Sequence, residues 1–582
     1  MSSGDDDFRV RPGRSRDAGR GSGRKAQGLA AQVRRAAAKA GYTRKGPSRG
    51  RGTGRHGRGR IARLRTRAPA NARRVVIKAR VVRHKGSRYR AAPLARHIAY
   101  LKRDGVTRDG RDASMFDARS DQADGDAFAK ACEEDRHHFR FIVSPEDAAQ
   151  MADLRAFTRE LMDDMAVDLG TRLDWVAVDH WNTDNPHIHV LVRGVDDTGA
   201  DLVIDRGYIR EGMRARAEER VTAELGLRSQ REIEAALERE VDADRWTSLD
   251  RQLQRMADAV SGMVDLRPGG GDDPEMRRLL VGRAQKLERL GLAMQQSPAV
   301  WSLKPGVEQT LRDLSIRGDI IKTMHRAMRR DGRAIDPASL ALHGQAPDEP
   351  IVGRLVERGL HDELAGTAYA VIDGADGRTH HLRFDDMEMT GDARPGAIVE
   401  TRNWQDAKGS TRLSLATRSD LTLAEQVNAP GATWLDRQLI ARDPCVTAGS
   451  GFGQEIRDAT EARARHLEGA GLAERRGARF LFARDLIATL KAAEVDQEVD
   501  AIARRTGLAH RPSATGDYVS GVYRERVTLA SRRFAMIDDG MGFQLVPWRP
   551  ALDQHLGQHV AGTMAPGGSV DWSLGRGRGI GL

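Results

Sequence analysis

Apolar positions rise and fall along this chain in a way that separates strands from helices. Val75-Val76-Ile77-Lys78-Ala79-Arg80-Val81-Val82 is β-branched and predicts a strand. Pro93 to Asp104 predicts a helix, with Pro93 suited to its first position and Gly105 to its C-terminal cap. Leu94, Ile98 and Leu101 recur at i, i+4 and i+7 and form its buried stripe. Three further strands are expected at 137–143, 175–178 and 187–192. A long helix is expected from Ser144-Pro145-Glu146-Asp147 to just before Gly170, with Ser144 read as its N-cap. Residues 205–262 carry a charged helical pattern. Strands interleaved with helices and one tight hairpin imply an α+β domain with a mainly antiparallel sheet.

Beyond the linker Pro268-Gly269-Gly270-Gly271 the pattern repeats. Arg283 to Ala293 and Arg463 to Ala473 share seven of eleven residues, each a helix ending in Gly-Leu-Ala. A short turn, an apolar pair (Val300-Trp301 or Phe480-Leu481) and another helix follow in each, which suggests a winged-helix-like unit. Ala368 to Gly374 then answers Arg533 to Asp539 within two β-rich segments. The expected organisation is an arm over 1–70, a domain with trailing charged helices over 71–265, and winged-helix-like units over 276–340 and 425–500. A small β-barrel is expected over 349–416 and a second β-rich unit over 515–582.

Composition narrows the function. No run of about 18 apolar residues occurs, so membrane insertion is not expected. Two cysteines 313 positions apart, Cys132 and Cys445, exclude a disulfide scaffold and fit a reducing compartment; with no apolar signal core at the N-terminus, the expected location is cytoplasmic. Residues 1–90 hold 28 Lys+Arg against 4 Asp+Glu, a net +24, whereas the remaining 492 residues sum to −12. A basic arm so concentrated is expected to be disordered and to meet a polyanion, nucleic acid above all.

The chemistry centres on Asp179-His180-Trp181-Asn182-Thr183-Asp184-Asn185-Pro186-His187-Ile188-His189. His187 and His189 share a strand face. Folding the hairpin with 181–186 as its loop sets His180 opposite His187 and Val178 opposite His189, so three imidazoles converge. Such a site leaves coordination positions open for water or substrate oxygens, as a Lewis-acid catalyst requires. Tyr100 is the candidate nucleophile, at the edge of the apolar stripe, with Lys102 and Arg103 beside it to meet phosphate. Tyr89 and Tyr208 are its rivals, and an ordinary half-buried boundary tyrosine is the plain alternative.

Tyr100-Leu101-Lys102-Arg103-Asp104-Gly105, Phe141-Ile142-Val143-Ser144-Pro145 and His180…His187-Ile188-His189, in that order, resemble the three motifs of conjugative and mobilisation relaxases of the HUH endonuclease superfamily, including the T-DNA border endonuclease. The resemblance spans about residues 72–230. It implies an HUH-type antiparallel sheet with helices on one side, and nicking of one DNA strand at a transfer origin. Tyr100 would be the nucleophile, forming a 5′-phosphotyrosine, and His180, His187 and His189 the metal ligands. The cofactor would be a divalent ion, magnesium or manganese first, zinc or nickel otherwise. Family members often carry an acidic residue where Asn182 stands here; Asp184 is the substitute orienter and Ser144 a supporting residue. The resemblance further implies single-stranded DNA as partner, with a coupling protein and accessory relaxosome proteins, and passage into the recipient with the DNA. A replication initiator of the same superfamily, and a non-enzymatic nucleic-acid-binding protein with a structural metal, are the alternatives.

Overall fold

A computed structural model describes residues 57–60, 69, 71–84, 92–102, 113–181, 186–260, 262–269, 273–330, 332–333, 337–406, 409–566 and 568–573. The chain divides into two units, residues 1–323 and 324–582. No described helix is long and apolar enough to cross a membrane.

The first unit is built on a four-stranded antiparallel sheet. Its strands are β1 (Val75–Arg83), β2 (His137–Pro145), β3 (Trp175–His180) and β4 (His187–Arg193), in the order β1-β2-β4-β3. Alternation along β2, β3 and β4 sends successive side chains to opposite faces, one of them largely apolar and the other carrying apolar Val176, Val178 and Leu191 beside buried polar residues of β2 and the three histidines. On one, Val176, Val178 and Leu191 pack under α1 (Ala92–Leu101) and α2 (Gly125–Ala131), where Leu94, Ile98 and Leu101 are fully buried. On the other, Phe139, Phe141, Val143, Ala177, Ile188, Val190 and Val192 pack against α3 (Leu154–Leu169) and α4 (Met213–Leu225). The expectation of helices on one side is therefore corrected: helices cover both faces, because the second face also presents an apolar patch, Val176, Val178 and Leu191, that needs a partner layer.

Ser144 does not cap a helix. Strand pairing with β1 continues through Ser144 and Pro145, and the helix begins ten residues later, where the Asp153 side chain accepts from the backbone N–H groups of Arg155 and Ala156. It ends at Gly170, whose φ of +64° suits a residue without a Cβ.

The expectation for the arm is also corrected in part. Most of it lies outside the described residues, but Gly57–Arg60 docks on the sheet domain. Arg58 bridges in parallel to Ile204 and its guanidinium meets Asp196 at 2.6 Å. Gly59, at φ +92°, lies so close to Tyr208 that a Cβ would come within 2.8 Å of the ring.

The charged helices assigned to the end of the first domain belong with the next one. α5 (Gln230–Val241) and α6 (Ser248–Ala259) pack with α7 (Pro274–Arg289), β5 (Met263–Asp265), β6 (Ala293–Ser297) and β7 (Val300–Leu303) around Leu253, Leu280, Ala284, Leu287 and Trp301. α8 (Val307–Arg330) then carries the chain into the second unit.

There β8 (Leu340–Leu342), β9 (Val352–Asp362), β10 (Thr367–Gly374), β11 (Thr379–Phe384), β12 (Ile398–Gln405) and β13 (Thr411–Ser419) form one sheet in the order β13-β12-β9-β10-β11-β8. The helices α9 (Leu423–Asn428), α10 (Trp434–Ile440) and α11 (Gly451–Gly469), the hairpin β14 (Ala473–Arg476) and β15 (Arg479–Phe482), and α12 (Leu486–Thr506) repeat the α5–α8 order. A last sheet of β16 (Tyr518–Thr528), β17 (Arg533–Asp538), β18 (Phe543–Pro547), β19 (His559–Ala565) and β20 (Ser569–Trp572) has the order β18-β17-β16-β19-β20, the connectivity of β9–β13 repeated strand for strand. Among the described residues neither sheet closes, which corrects the expected barrel. In the first, β8 pairs in parallel on β11 and occupies the edge that closure would need; in the second, β18 and β20 end opposite edges without a ladder between them.

Candidate nuclease site

The three histidines meet as the hairpin dictates. His180 pairs with His187, and Val178 with His189. The three rings lie 4.6–5.4 Å apart, centroid to centroid. All three are buried, and one ring nitrogen of each lies within 4.8 Å of the others. The donor set fits a divalent ion: neutral imidazoles are good ligands, and the buried Nδ1 of His180 and Nε2 of His189 make no hydrogen bond among the described residues.

His180 is oriented from outside the cluster. Its Nε2 lies 2.9 Å from the carbonyl of Leu101. A carbonyl can only accept, so Nε2 carries the proton and Nδ1 is the lone pair turned to ligation. The contact also fixes α1 against the centre, because Leu101 directly follows Tyr100. Tyr100 is half-buried on the last turn of that helix, and its neighbour His97 is buried. Lys102 follows, exposed. Arg103, Asn182 and Asp184 lie outside the described residues, as does Tyr89.

Tyr208, the other rival, is buried, and its hydroxyl donates to Asp168 at 3.0 Å. Burial, then the adjacent Asp168 charge, push its pKa well above the ordinary phenol value. It is a packing residue of the opposite sheet face.

Both ends of the 181–186 segment are held. Asp179 accepts from Arg155 Nε at 2.9 Å and from Trp181 Nε1 at 2.7 Å. The Ser144 hydroxyl donates to the Pro186 carbonyl at 3.4 Å, so the strand residue read as a cap supports the histidine hairpin instead. Asp179 and Trp181 were missed by sequence reasoning, although their i, i+2 spacing on the strand face opposite His180 was a usable signal.

A second histidine group was missed as well. His84, just past β1, and His138 on β2 meet at 2.8 Å through Nε2 and Nδ1. His84 Nδ1 faces the Asp135 carbonyl at 2.5 Å, and Arg140 Nε donates to His138 Nε2 at 3.1 Å. Burial, the Arg140 charge and His84 hold the His138 pKa down to about 2, and burial lowers that of His84.

Comparison with known proteins adds two findings. Residues 111–226 match the MobA/VirD2-like relaxase family, nuclease domain. That stretch includes β2, β3, β4 and all three histidines and begins after Tyr100. Residues 280–412 and 403–581 match DUF3363, a family described as proteins of unknown function. No curated protein and no solved structure matches the chain.

Proposed function

The chain belongs to the DUF3363 family and carries a MobA/VirD2-like relaxase nuclease domain, and from that premise we propose that it nicks one DNA strand at a transfer origin and later rejoins it. The observation that carries this reading is the hydrogen bond from His180 to Leu101, which sets the helix end bearing Tyr100 beside the histidine centre.

His180, His187 and His189 would hold a divalent ion, magnesium or manganese before zinc or nickel. Such an ion, when bound, supplies positive charge against the phosphate oxygens. Tyr100 attacks phosphorus in line; its oxygen forms the new P–O bond while the bond to the 3′ oxygen breaks. The phenol proton passes to solvent, and the departing 3′ oxygen takes up a proton from solvent and leaves as a 3′ hydroxyl. Phosphoryl transfer depends on position and charge more than on acid–base strength, which suits a tyrosine at the end of a rigid helix. The 5′-phosphotyrosine ester preserves bond energy, so attack by a 3′ hydroxyl restores the strand. Lys102 and Arg103 contact phosphate near the nucleophile, and Ser144 holds the hairpin through Pro186. A coupling protein and relaxosome accessory proteins are the partners that such a role requires.

The test is incubation with single-stranded transfer-origin oligonucleotides and divalent ion, followed by denaturing electrophoresis and peptide mapping. A covalent adduct on Tyr100 is expected, absent in Tyr100→Phe, in His187→Ala and under chelator. A nucleotide mapped to another tyrosine, or adduct formation after metal removal verified by elemental analysis, overturns the assignment.

A further inference from the structure

The two helical units differ at one sheet edge. In the first, a third strand widens the β6–β7 hairpin: β5 pairs along β7, with Met263 opposite Ser302, Val264 opposite Trp301 and Asp265 opposite Val300. The Leu303 N–H donates to the Gly262 carbonyl and the Leu266 N–H to the Ala299 carbonyl, so alternation makes Val264 and Trp301 the hydrogen-bonded pair between them. Val264 and Trp301 are both buried.

In the second unit the hairpin stops at two strands, β14 and β15. Leu303 and Phe482 hold the same place, each opposite the first residue of its hairpin, Ala293 or Ala473. β15 therefore matches β7 residue for residue, with Arg479 for Val300, Phe480 for Trp301 and Leu481 for Ser302. The counterpart of β5 is missing. α6 runs for 12 residues but α10 for only 7, and the chain beyond α10 goes elsewhere, where the Ala448 N–H donates to the Ala375 carbonyl. The outer edge of β15 thus carries no strand among the described residues. An edge with exposed apolar side chains is one that folded proteins usually cover. Leu481 and Ile440 are each 49% exposed, and with Phe480, Ile487 and Lys491 they line one groove.

The charges beside this groove also differ between the units. Lys491 corresponds to Arg312, which pairs with Glu308 at 2.6 Å, but Ile487 stands where Glu308 would be. Partial burial, then the Arg437 and Arg532 charges, hold the Lys491 pKa below the ordinary lysine value. Among the described residues no carboxylate forms an ion pair with Arg437, Arg479, Lys491 or Arg532. A segment that covers an apolar and cationic edge is itself apolar and acidic, which is the pattern of Met263-Val264-Asp265.

We propose that the outer edge of β15 takes up an extended apolar and acidic segment of a partner protein as a third strand, in the place that β5 holds in the first unit. The register of β5 sets an apolar side chain opposite Phe480 and a carboxylate opposite Arg479. Main-chain hydrogen bonds supply the affinity and the side chains the register.

A fluorescein-labelled peptide with the sequence of residues 260–266, Val-Ser-Gly-Met-Val-Asp-Leu, tests this by anisotropy against the full chain. Saturable binding is expected. Methylating the peptide nitrogen at Val264 keeps every side chain but removes a strand hydrogen bond, and should abolish binding. Leu481→Glu places a charge at the half-exposed groove and should weaken binding about tenfold, as the loss of one buried leucine would. Arg479→Glu should weaken it severalfold, and a peptide with Asp265→Lys should recover the difference, as a direct cross-strand pair requires. Should either variant lose cooperative unfolding, the methylated and unmethylated peptides compared on the wild type decide. No binding, equal binding of the methylated peptide, or binding indifferent to Leu481→Glu overturns the proposal. So does a surface that serves nucleic acid instead: Leu481→Glu and Arg479→Glu would then weaken binding of an oligo-dT strand and leave that of the peptide unchanged.

Discussion

His138 shows how a single side chain couples the sheet to pH. It is fully buried between His84 and Arg140, and burial, Arg140 and His84, with His137 nearby, hold its pKa at about 2 rather than 6.5. The folded protein thus resists a proton that the unfolded chain accepts readily below pH 6.5. Stability from this site is complete above about pH 6.5 and is lost as pH falls toward 2. Between pH 7 and pH 5 the loss from His138 alone should reach about 2 kcal/mol. His84 shifts the same way and adds to it. A histidine ring titration by NMR checks the premise: the His138 signal should keep its neutral position to about pH 4, and a midpoint near 6 would contradict it. This group was invisible in the sequence for a physical reason. His137-His138 reads as part of a strand, and its link to His84 exists only once β1 and β2 pair. The three metal-site histidines were legible because a tight hairpin fixes its own register: His180, His187 and His189 lie within ten residues, and alternation does the rest.

Among the elements, the helical repeats preserve one buried device. Arg283 on α7 meets Asp250 on α6 at 2.7 and 2.8 Å and donates to the carbonyls of Val241, Ala243 and Arg245. Arg463 on α11 meets Asp436 on α10 at 2.8 and 2.9 Å and donates to the carbonyls of Val427, Ala429 and Gly431. In both, the same aspartate closes a capping box with a threonine three residues earlier, Thr247 or Thr433. All four charged side chains are fully buried. Removing one partner strands the other in the core, so Asp250→Ala and Asp436→Ala should each cost about 3–5 kcal/mol. Denaturant unfolding followed by tryptophan fluorescence reads this, with Trp301 and Trp434 buried in the respective helical units; a destabilisation below about 1 kcal/mol would show that the clasp is dispensable. Arg283 and Arg463 head the eleven-residue match, which is why the internal repeat is visible at α7 and α11. Their aspartates stand 186 positions apart and the arginines 180, so an ungapped alignment of the two copies loses α5 and α6 and draws the boundary too late.

At the scale of the whole molecule, charge separates the ends of the chain more sharply than fold does. Residues 1–56 hold 15 Lys+Arg against 4 Asp+Glu, while everything after residue 90 is net acidic. The two open sheets illustrate what such large-scale reading misses: a β-rich segment after each helical unit was foreshadowed by the repeat, but strand order was not, and closure depends on what each edge meets, which the short strand β8 settled for the first sheet. The arm is the reverse case, where composition speaks directly because long-range electrostatics needs no register. Deleting residues 1–56 should weaken binding to DNA and flatten its salt dependence. For each phosphate the arm no longer neutralises, the log–log slope should fall by about 0.7 on a single strand and about 0.9 on duplex. Cleavage of a transfer-origin strand at saturating protein should persist, since no nuclease-domain residue is removed. Extending the deletion through residue 70 also removes Arg58, with its bond to Asp196 at 2.6 Å, and Gly59 against Tyr208. That longer deletion should lower the melting temperature where the shorter one does not. An unchanged salt slope in the shorter variant would show that the arm does not touch DNA, and equal melting temperatures in the two would show that Gly57–Arg60 adds nothing to the sheet it lies on.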